Sequence, residues 1–427
     1  MTMPELPVML DDDHGRVIMG DHDRGRAHIL HCNYYNNYLL RTIWKDAGQI
    51  VDAEPLLIGA SVEQAFAQLT HLFAHADIRN VAARKALASH LYSWQGLGTL
   101  DFAPIGEAGG TTGSDSQHYA DGWLAQFGRS DTPVGFVTRG WLAGAAAAIY
   151  DLPQGWFAVD QDECAAVTGG RPNLFTLRPD GANYTLFDGG AGVGPLSAAQ
   201  VRHAEIDHAV DAGAICDGVR SLPLFGSAAV DAGLIRNFDV MITWHPHRFY
   251  DRISFETLHA TIRRYGPQGR VLVESLLEEA GHRCGFRTFG GIWRSPEWAA
   301  LVEPMCRTRE DWIAGLIAII NCAGWGHVQC TSLSADEAVF VVHDDYESIG
   351  YLDLYGRADF ATTFLLPGGF RGMMNLVYNG AIHEHPALTE RFYEELCRRP
   401  DAYRSSVERC TAMGDAASVF RITRGRA

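Results

Sequence analysis

The feature that most constrains this chain is a spaced pattern that occurs twice. Gly128, Arg129, Asp131, Gly140 and Gly144 recur 228 residues later as Gly356, Arg357, Asp359, Gly368 and Gly372. Gly96 and Gly98 recur at the same distance as Gly324 and Gly326. Five of the seven identities are glycine, the residue a chain needs where its backbone must turn or be closely approached. We read the pattern as a tandem duplication, and a repeat governs every local reading that follows. Gly140 and Gly144 are four apart, so on a helix they share one face, open to a neighbouring backbone or a ligand.

A chain of 427 residues has room for two copies of about 190 residues and a connector. We expect copies at 14–177 and 233–427, a helical connector at 178–232, and an insertion in the second copy near 375–404. The formal charge of −16 argues against sequence-independent nucleic-acid binding and against anionic membrane surfaces. No apolar run approaches the roughly 18 residues of a membrane span. The N-terminal residues lack the basic region and apolar core of a signal peptide. Nine cysteines without a CxxC pair read as reduced, mostly buried thiols of a cytoplasmic protein.

Periodicity and turn residues give a mixed α/β order. Residues 1–14 are expected to fray. Strands are expected at 16–19 and 27–31, and a helix from the polar, aromatic stretch 31–38 to Trp44, stopped by Gly48. Ser61 is expected to cap a helix through Phe73, and a second helix runs from about 78 to 94. Residues 99–105 and 118–127 read as strands around a loop at 106–116. A small-residue helix follows at 140–150, then strands at 156–159 and 173–177. The connector holds a Gly-rich run at 188–195 and a helix at 197–210. The second copy opens with a strand at 237–244. Helices follow at 254–264, at 271–280 up to Gly281, after Ser295-Pro296, at 311–322 and at 388–398. The β-rich runs are 338–343 and 418–423.

Cys164 follows the first glycine helix and Cys410 the second, and the tail 408–422 reads Glu-Arg-Cys-Thr-Ala-Met-Gly-Asp-Ala-Ala-Ser-Val-Phe-Arg-Ile. With the glycine helix, this tail resembles the 4-vinyl reductase domain family. That family includes hydrocarbon-sensing regions of phenol- and xylene-responsive activators. It shares its ligand-binding fold with a Golgi-transport subunit and with NO-signalling domains. The resemblance covers roughly 16–177 and 235–427. It implies an α/β (α+β) fold, two copies packed as an intramolecular pseudo-dimer, and a hydrophobic pocket between helices and sheet. The family pattern is C-x₃-G-x₃-C preceded by E-x-x, with a further Cys before the first glycine. Here Cys410 and Gly414 match, but Ser418 holds the second Cys position. In the first copy Cys164 matches, the glycine has drifted to Gly169, and Pro172 holds the second Cys position. Gln161 and Val407 replace the Glu, and Gly135 and Thr363 replace the further Cys. One of four donors per copy implies no structural zinc. We find no nicotinamide or flavin fingerprint, so no cofactor is expected.

The first candidate site is His31, Asn33, Tyr34, Asn36 and Asn37. An imidazole, a phenol and carboxamides at a strand–helix junction can orient a polar substrate and move protons. The alternative is a helix start capped by Asn33 with aromatic core rims. The second candidate is His245, His247 and Tyr250, whose alternatives are a metal pair or a plain turn. Arg139 and Arg371 abut the glycine helices and offer an anion contact, or else simple solvation. Aligning Gly48 with Gly281 places Arg264, Gly266, Pro267 and Arg270 at the positions of His31, Asn33, Tyr34 and Asn37. On that alignment the functional pocket belongs to the first copy, with His245 and Tyr250 reaching across.

Three functions follow. The first is a cofactor-independent enzyme or enzyme subunit of small-molecule metabolism, with His31 and Tyr34 as acid–base groups for elimination, cyclisation or isomerisation. Asn33, Asn37, Arg139, His245 and Tyr250 would bind its substrate. The second is a stand-alone small-molecule binding or sensor protein, which would need a protein partner for output. The third is a structural adaptor.

Overall fold

The computed structural model describes residues 6–20, 25–170, 172–187, 203, 205–224 and 232–426. In chain order, the first half comprises β1 (Val8–Asp11), β2 (Arg16–Met19), β3 (Arg26–Cys32), α1 (Asn33–Arg41), α2 (Ala53–His75) and α3 (Val81–Trp94). It continues with β4 (Gly110–Ser114), α4 (His118–Phe127), α5 (Phe136–Ile149), β5 (Ala158–Glu163), α6 (Ala165–Thr168) and β6 (Asn173–Arg178). After α7 (Ala212–Ser221) come β7 (Ile235–Asn237), β8 (Val240–Pro246), α8 (His247–Tyr265) and α9 (Pro267–Cys284). Then follow α10 (Gly290–Arg294), α11 (Pro296–Leu301), α12 (Arg309–Ile320), β9 (His327–Leu333), β10 (Glu337–His343) and α13 (Tyr346–Tyr355). The chain closes with α14 (Leu365–Met374), α15 (Glu390–Arg398), β11 (Tyr403–Arg409) and β12 (Ser418–Arg424).

Three antiparallel sheets carry these strands, in the orders β1-β2-β3-β8-β7, β4-β6-β5 and β11-β12-β10-β9. The first sheet matters most here. β3 lies beside β8, with Ile29 opposite His245, Leu30 opposite Trp244 and His31 opposite Thr243. Each strand runs straight into a helix, α1 or α8. The junctions are therefore related about the Leu30–Trp244 pair, and His31 holds the place in one that His245 holds in the other.

Elements with the repeat's glycines occur in like settings. α4 and α13 begin and end 228 residues apart. Gly128 and Gly356 follow them at φ +75° and +77°, in the left-handed region that favours glycine. A side chain on Gly140 or Gly144 would overlap the carbonyls of Ile58 or Val62 in α2, so α5 packs there backbone to backbone. Gly368 in α14 has the same relation to the Glu278 carbonyl in α9. β4-β6-β5 and β10-β12-β11 share an order, and β5 and β11 each shift register near the end.

Local chemistry explains many boundaries. Asn80 caps α3, Ser295 caps α11 ahead of Pro296, and Thr308 with Asp311 forms a capping box on α12. Other expectations need correction. Residues 118–127 form a helix rather than a strand, with His118, Tyr119, Gly122 and Trp123 on its buried face. The expected loop contains β4, whose Thr/Gly sequence is held in place by pairing with β6. Residues 99–105 are irregular, and 8–11 pair with β2 instead of fraying. Ser61 is not a cap: α2 begins at Ala53, and the buried Ser61 hydroxyl donates to the Val137 carbonyl at 2.7 Å. Gly281 does not stop a helix but lies inside α9 against the Leu365 backbone. Residues 205–210 are not helical, and Ile206 N donates to the Cys330 carbonyl. The remainder of 197–210, except His203, and the Gly-rich run at 188–195 lie outside the described residues.

Candidate functional site

The β3–α1 and β8–α8 junctions meet over one buried cluster of imidazoles, phenols and amides. His31 projects from β3 on the face shared with Thr243 and His245. Its ring lies 4.3 Å from that of Tyr35, 4.6 Å from Tyr250, 5.2 Å from Trp325 and 6.1 Å from Tyr346. Trp325 is fixed by its indole N–H, which donates to the Leu30 carbonyl at 2.9 Å. Burial drives the His31 pKa well below the ordinary value, and neighbouring His245 lowers it further. Among the described residues neither ring nitrogen of His31 has a hydrogen-bond partner.

Asn36 organises the next shell. Its amide nitrogen donates to His118 Nε2 and to Thr243 Oγ1, each at 2.9 Å, and its carbonyl accepts from Tyr250 Oη at 2.7 Å. Burial lowers His118 to about 3, with Arg236 adding to the shift. An acceptor at Nε2 leaves the neutral ring's proton on Nδ1, an atom with no partner among the described residues. Tyr119 Oη lies 2.9 Å from His245 Nε2. Burial lowers the His245 pKa and raises those of Tyr119 and Tyr250, so the phenols are protonated and the imidazole is the acceptor.

The two junctions differ at matching places. Asn33 and His247 each open a helix, with Asn37 and Asp251 one turn later. His247 Nδ1 lies 2.7 Å from Asp251 Oδ2, whereas Asn33 Oδ1 accepts from Met241 N at 3.1 Å. Gly122 leaves room for Asn37, and Gly350 for Asp251. Burial raises Asp251 well above its usual range, although Arg248 and Arg16 pull it back. Buried Glu347 accepts from the backbone N–H groups of Phe364 and Leu365 at the start of α14. Burial raises its pKa as well.

His31, His245 and Tyr250 are thus brought together, and Asn37 lies buried in the same region with neither side-chain amide atom bonded among the described residues. Tyr34 is not with them: it is half-buried and lines an open cleft. Arg139 stands apart, buried against Glu54 and the Val159 carbonyl, so its charge is matched within the protein. The expected counterpart of His31, Arg264, lies near the end of α8 and donates to the Gln49 carbonyl. The junction itself supplies His245 instead, because α8 starts at His247, well before the stretch aligned through the glycines. Sequence reasoning missed Tyr35, Tyr119 and Thr243 as members of the cluster, and read His118 as a strand end. The spacing of the repeat does match His118 with Tyr346, which also faces His31.

Cys410 lies near hydroxyls: Ser348 Oγ at 3.4 Å and Thr362 Oγ1 at 3.7 Å. Ser418 donates to Asp345, and its Oγ accepts from Thr411 N. In the first half Asn173 Oδ1 accepts from Ala165 N, so Asn173, not Pro172, takes the place of Ser418. One thiol among hydroxyls does not fit a four-ligand zinc site. Among the described residues no group of three or more His, Cys, Asp or Glu is placed to hold a metal ion.

No protein-family model matches the chain, and no curated protein matches it. A solved structure does resemble it. The chain is similar to the phenol-responsive sensory domain of the transcription activator PoxR, crystallised with phenol. The match covers 49% of this chain and 89% of that chain, at 12% identity and a TM-score of 0.35. Among the described residues no helix is long and apolar enough to cross a membrane.

Proposed function

We propose that this chain binds a small molecule, anchored by the buried His31 cluster. The observation that carries this is His31 itself, 1% exposed, ringed by Tyr35, Tyr250, Trp325 and Tyr346, with both nitrogens unbonded among the described residues. A buried polar group without a partner costs about 1–3 kcal/mol, and each instance calls for an explanation such as a ligand. The ligand class is a compact aromatic or apolar molecule with one hydroxyl or carbonyl group: the rings contact its body, and the imidazole bonds its polar end. In this reading 14–177 and 233–427 are two 4-vinyl-reductase-like copies joined by 178–232, and the ligand lies where the copies meet.

A second reading is acid–base catalysis without a cofactor. It is supported by the 2.9 Å approach of Tyr119 to His245, a protonated phenol beside a neutral imidazole. There His31 is the base, and Asn36 and Tyr250 orient the substrate.

Phenol is the minimal probe, a ring with one hydroxyl. Its binding should perturb the fluorescence of Trp325, and His31→Phe, which keeps the ring and removes both nitrogens, should weaken binding at least about tenfold, or 1.4 kcal/mol. Equal affinity in folded wild type and His31→Phe would sink the assignment. Conversion of bound small phenols or enones by wild type but not by His31→Phe would favour the catalytic reading.

A further inference from the structure

Tyr34 leads to a different place. With Tyr38 and Arg41 on α1, Phe127 at the end of α4, and Arg283 and Arg287 beyond them, it lines an open cleft of about 430 Å³. A recess of about 350 Å³ adjoins it and shares Tyr34 and Ala125. These sizes are those of small-molecule sites. In a chain of net charge −16, the cleft brings three guanidinium groups together with a single lining carboxylate, Glu390.

Cations and rings alternate around the cleft. Arg287 lies over Tyr34 at 5.2 Å, Arg283 over Tyr38 at 4.8 Å, and Arg41 over Phe127 at 5.4 Å. Arg283 is also paired with Glu390 at 2.6 Å and Glu279 at 3.3 Å, and Arg287 reaches Glu390 at 3.5 Å. These bonds fix two of the three guanidinium groups and hold the start of α15 against the cleft. Arg41 differs: it lies over Phe127, and among the described residues no carboxylate lies within ion-pair distance of it. Gln126, also in the lining, has a buried Oε1 without a partner among the described residues.

We propose that this cleft binds a small aromatic anion, a ring bearing a carboxylate or a phosphate. The ring stacks among Tyr34, Tyr38 and Phe127, and the anionic group pairs with Arg41. A guanidinium offers a planar fork that matches both anions, and a partly desolvated cleft strengthens the pairing. The proposal is independent of the His31 site, which lies on the inner side of α1.

Calorimetric titration with benzoate and with phenyl phosphate at low salt tests it. Benzamide supplies a ring without charge, and inorganic phosphate a charge without a ring. Saturable one-to-one binding of at least one aromatic anion is expected, at least about tenfold tighter than either control. Arg41→Gln and Tyr34→Ala should each weaken it at least about tenfold. Added salt should weaken it too, whereas His31→Phe should leave it unchanged. Absence of saturable binding, equal binding of phosphate and phenyl phosphate, or an undiminished affinity in folded Arg41→Gln would overturn the proposal.

Discussion

Asn36 and Tyr250 hold the same place on the helices that follow β3 and β8, and they bond to each other, Tyr250 Oη donating to Asn36 Oδ1 at 2.7 Å. Asn36 also serves His118 and Thr243, so one amide ties α1, α4, β8 and α8 together. Such a hub stabilises only while all its members are satisfied.

Asn36→Ala should therefore cost about 3 kcal/mol in a denaturant titration, because three buried partners lose a bond at once. A double-mutant cycle with Tyr250→Phe should return a coupling energy of about 0.5–3 kcal/mol. Strict additivity would mean that the two side chains do not share a network.

The glycines separate two physical demands. Gly140→Ala and Gly368→Ala each push a methyl group into a helix carbonyl, Ile58 or Glu278, and should cost about 1–3 kcal/mol through overpacking. Gly128→Ala meets no atom within 4 Å, but its φ of +75° should still cost about 1 kcal/mol. Gly356→Ala should match it. Unfolding curves for the four variants check whether the two halves pay alike.

Acid should expose the buried histidines. His118 is held at about 3, and His28 and His282 at about 4, in each case chiefly by burial. An unfolded histidine takes up its proton near pH 6.5. Below that value the unfolded state binds more protons than the folded one, so these groups remove stability as pH falls. Asp251, Asp345 and Glu347, raised by burial, work in the opposite direction. Comparing wild type with His118→Gln isolates one term. Between about pH 6 and 4.5 the stability of the wild type should fall more steeply by roughly 1.4 kcal/mol per pH unit. Parallel curves would place the His118 pKa near its ordinary value.

Cys216 on α7 and Cys322 just beyond α12 bring their sulfurs to 3.0 Å, and Cys216 is only half-buried. A mild thiol oxidant such as diamide should join them, linking α7 to the turn that follows α12. The expected readout is loss of two titratable thiols, absent in Cys216→Ser. Modification of Cys397 alone, the one exposed cysteine, would contradict the prediction.

Part of this molecule is written locally. The glycines at 96, 98, 128, 324, 326 and 356 all have positive φ, a demand that a residue type meets by itself and that therefore survives as a spaced pattern. Caps such as Ser295 with Pro296 are equally local. The stretch 31–38 and the segment 244–250 also announced themselves as polar and aromatic. Their relationship did not. The glycine pattern recurs at 228 residues, but His31 and His245 are 214 apart, so the loops between strand and glycine helix differ in length and no single offset aligns both. Composition likewise could not tell that 118–127 winds as a helix or that Tyr34 and His31 face opposite sides of α1. Those outcomes depend on β3 pairing with β8 across the length of the chain, on which face of each helix that pairing buries, and on how far burial moves each proton. Turns and caps are set by neighbours in sequence, whereas the polar cluster and the cleft exist only once distant segments have packed.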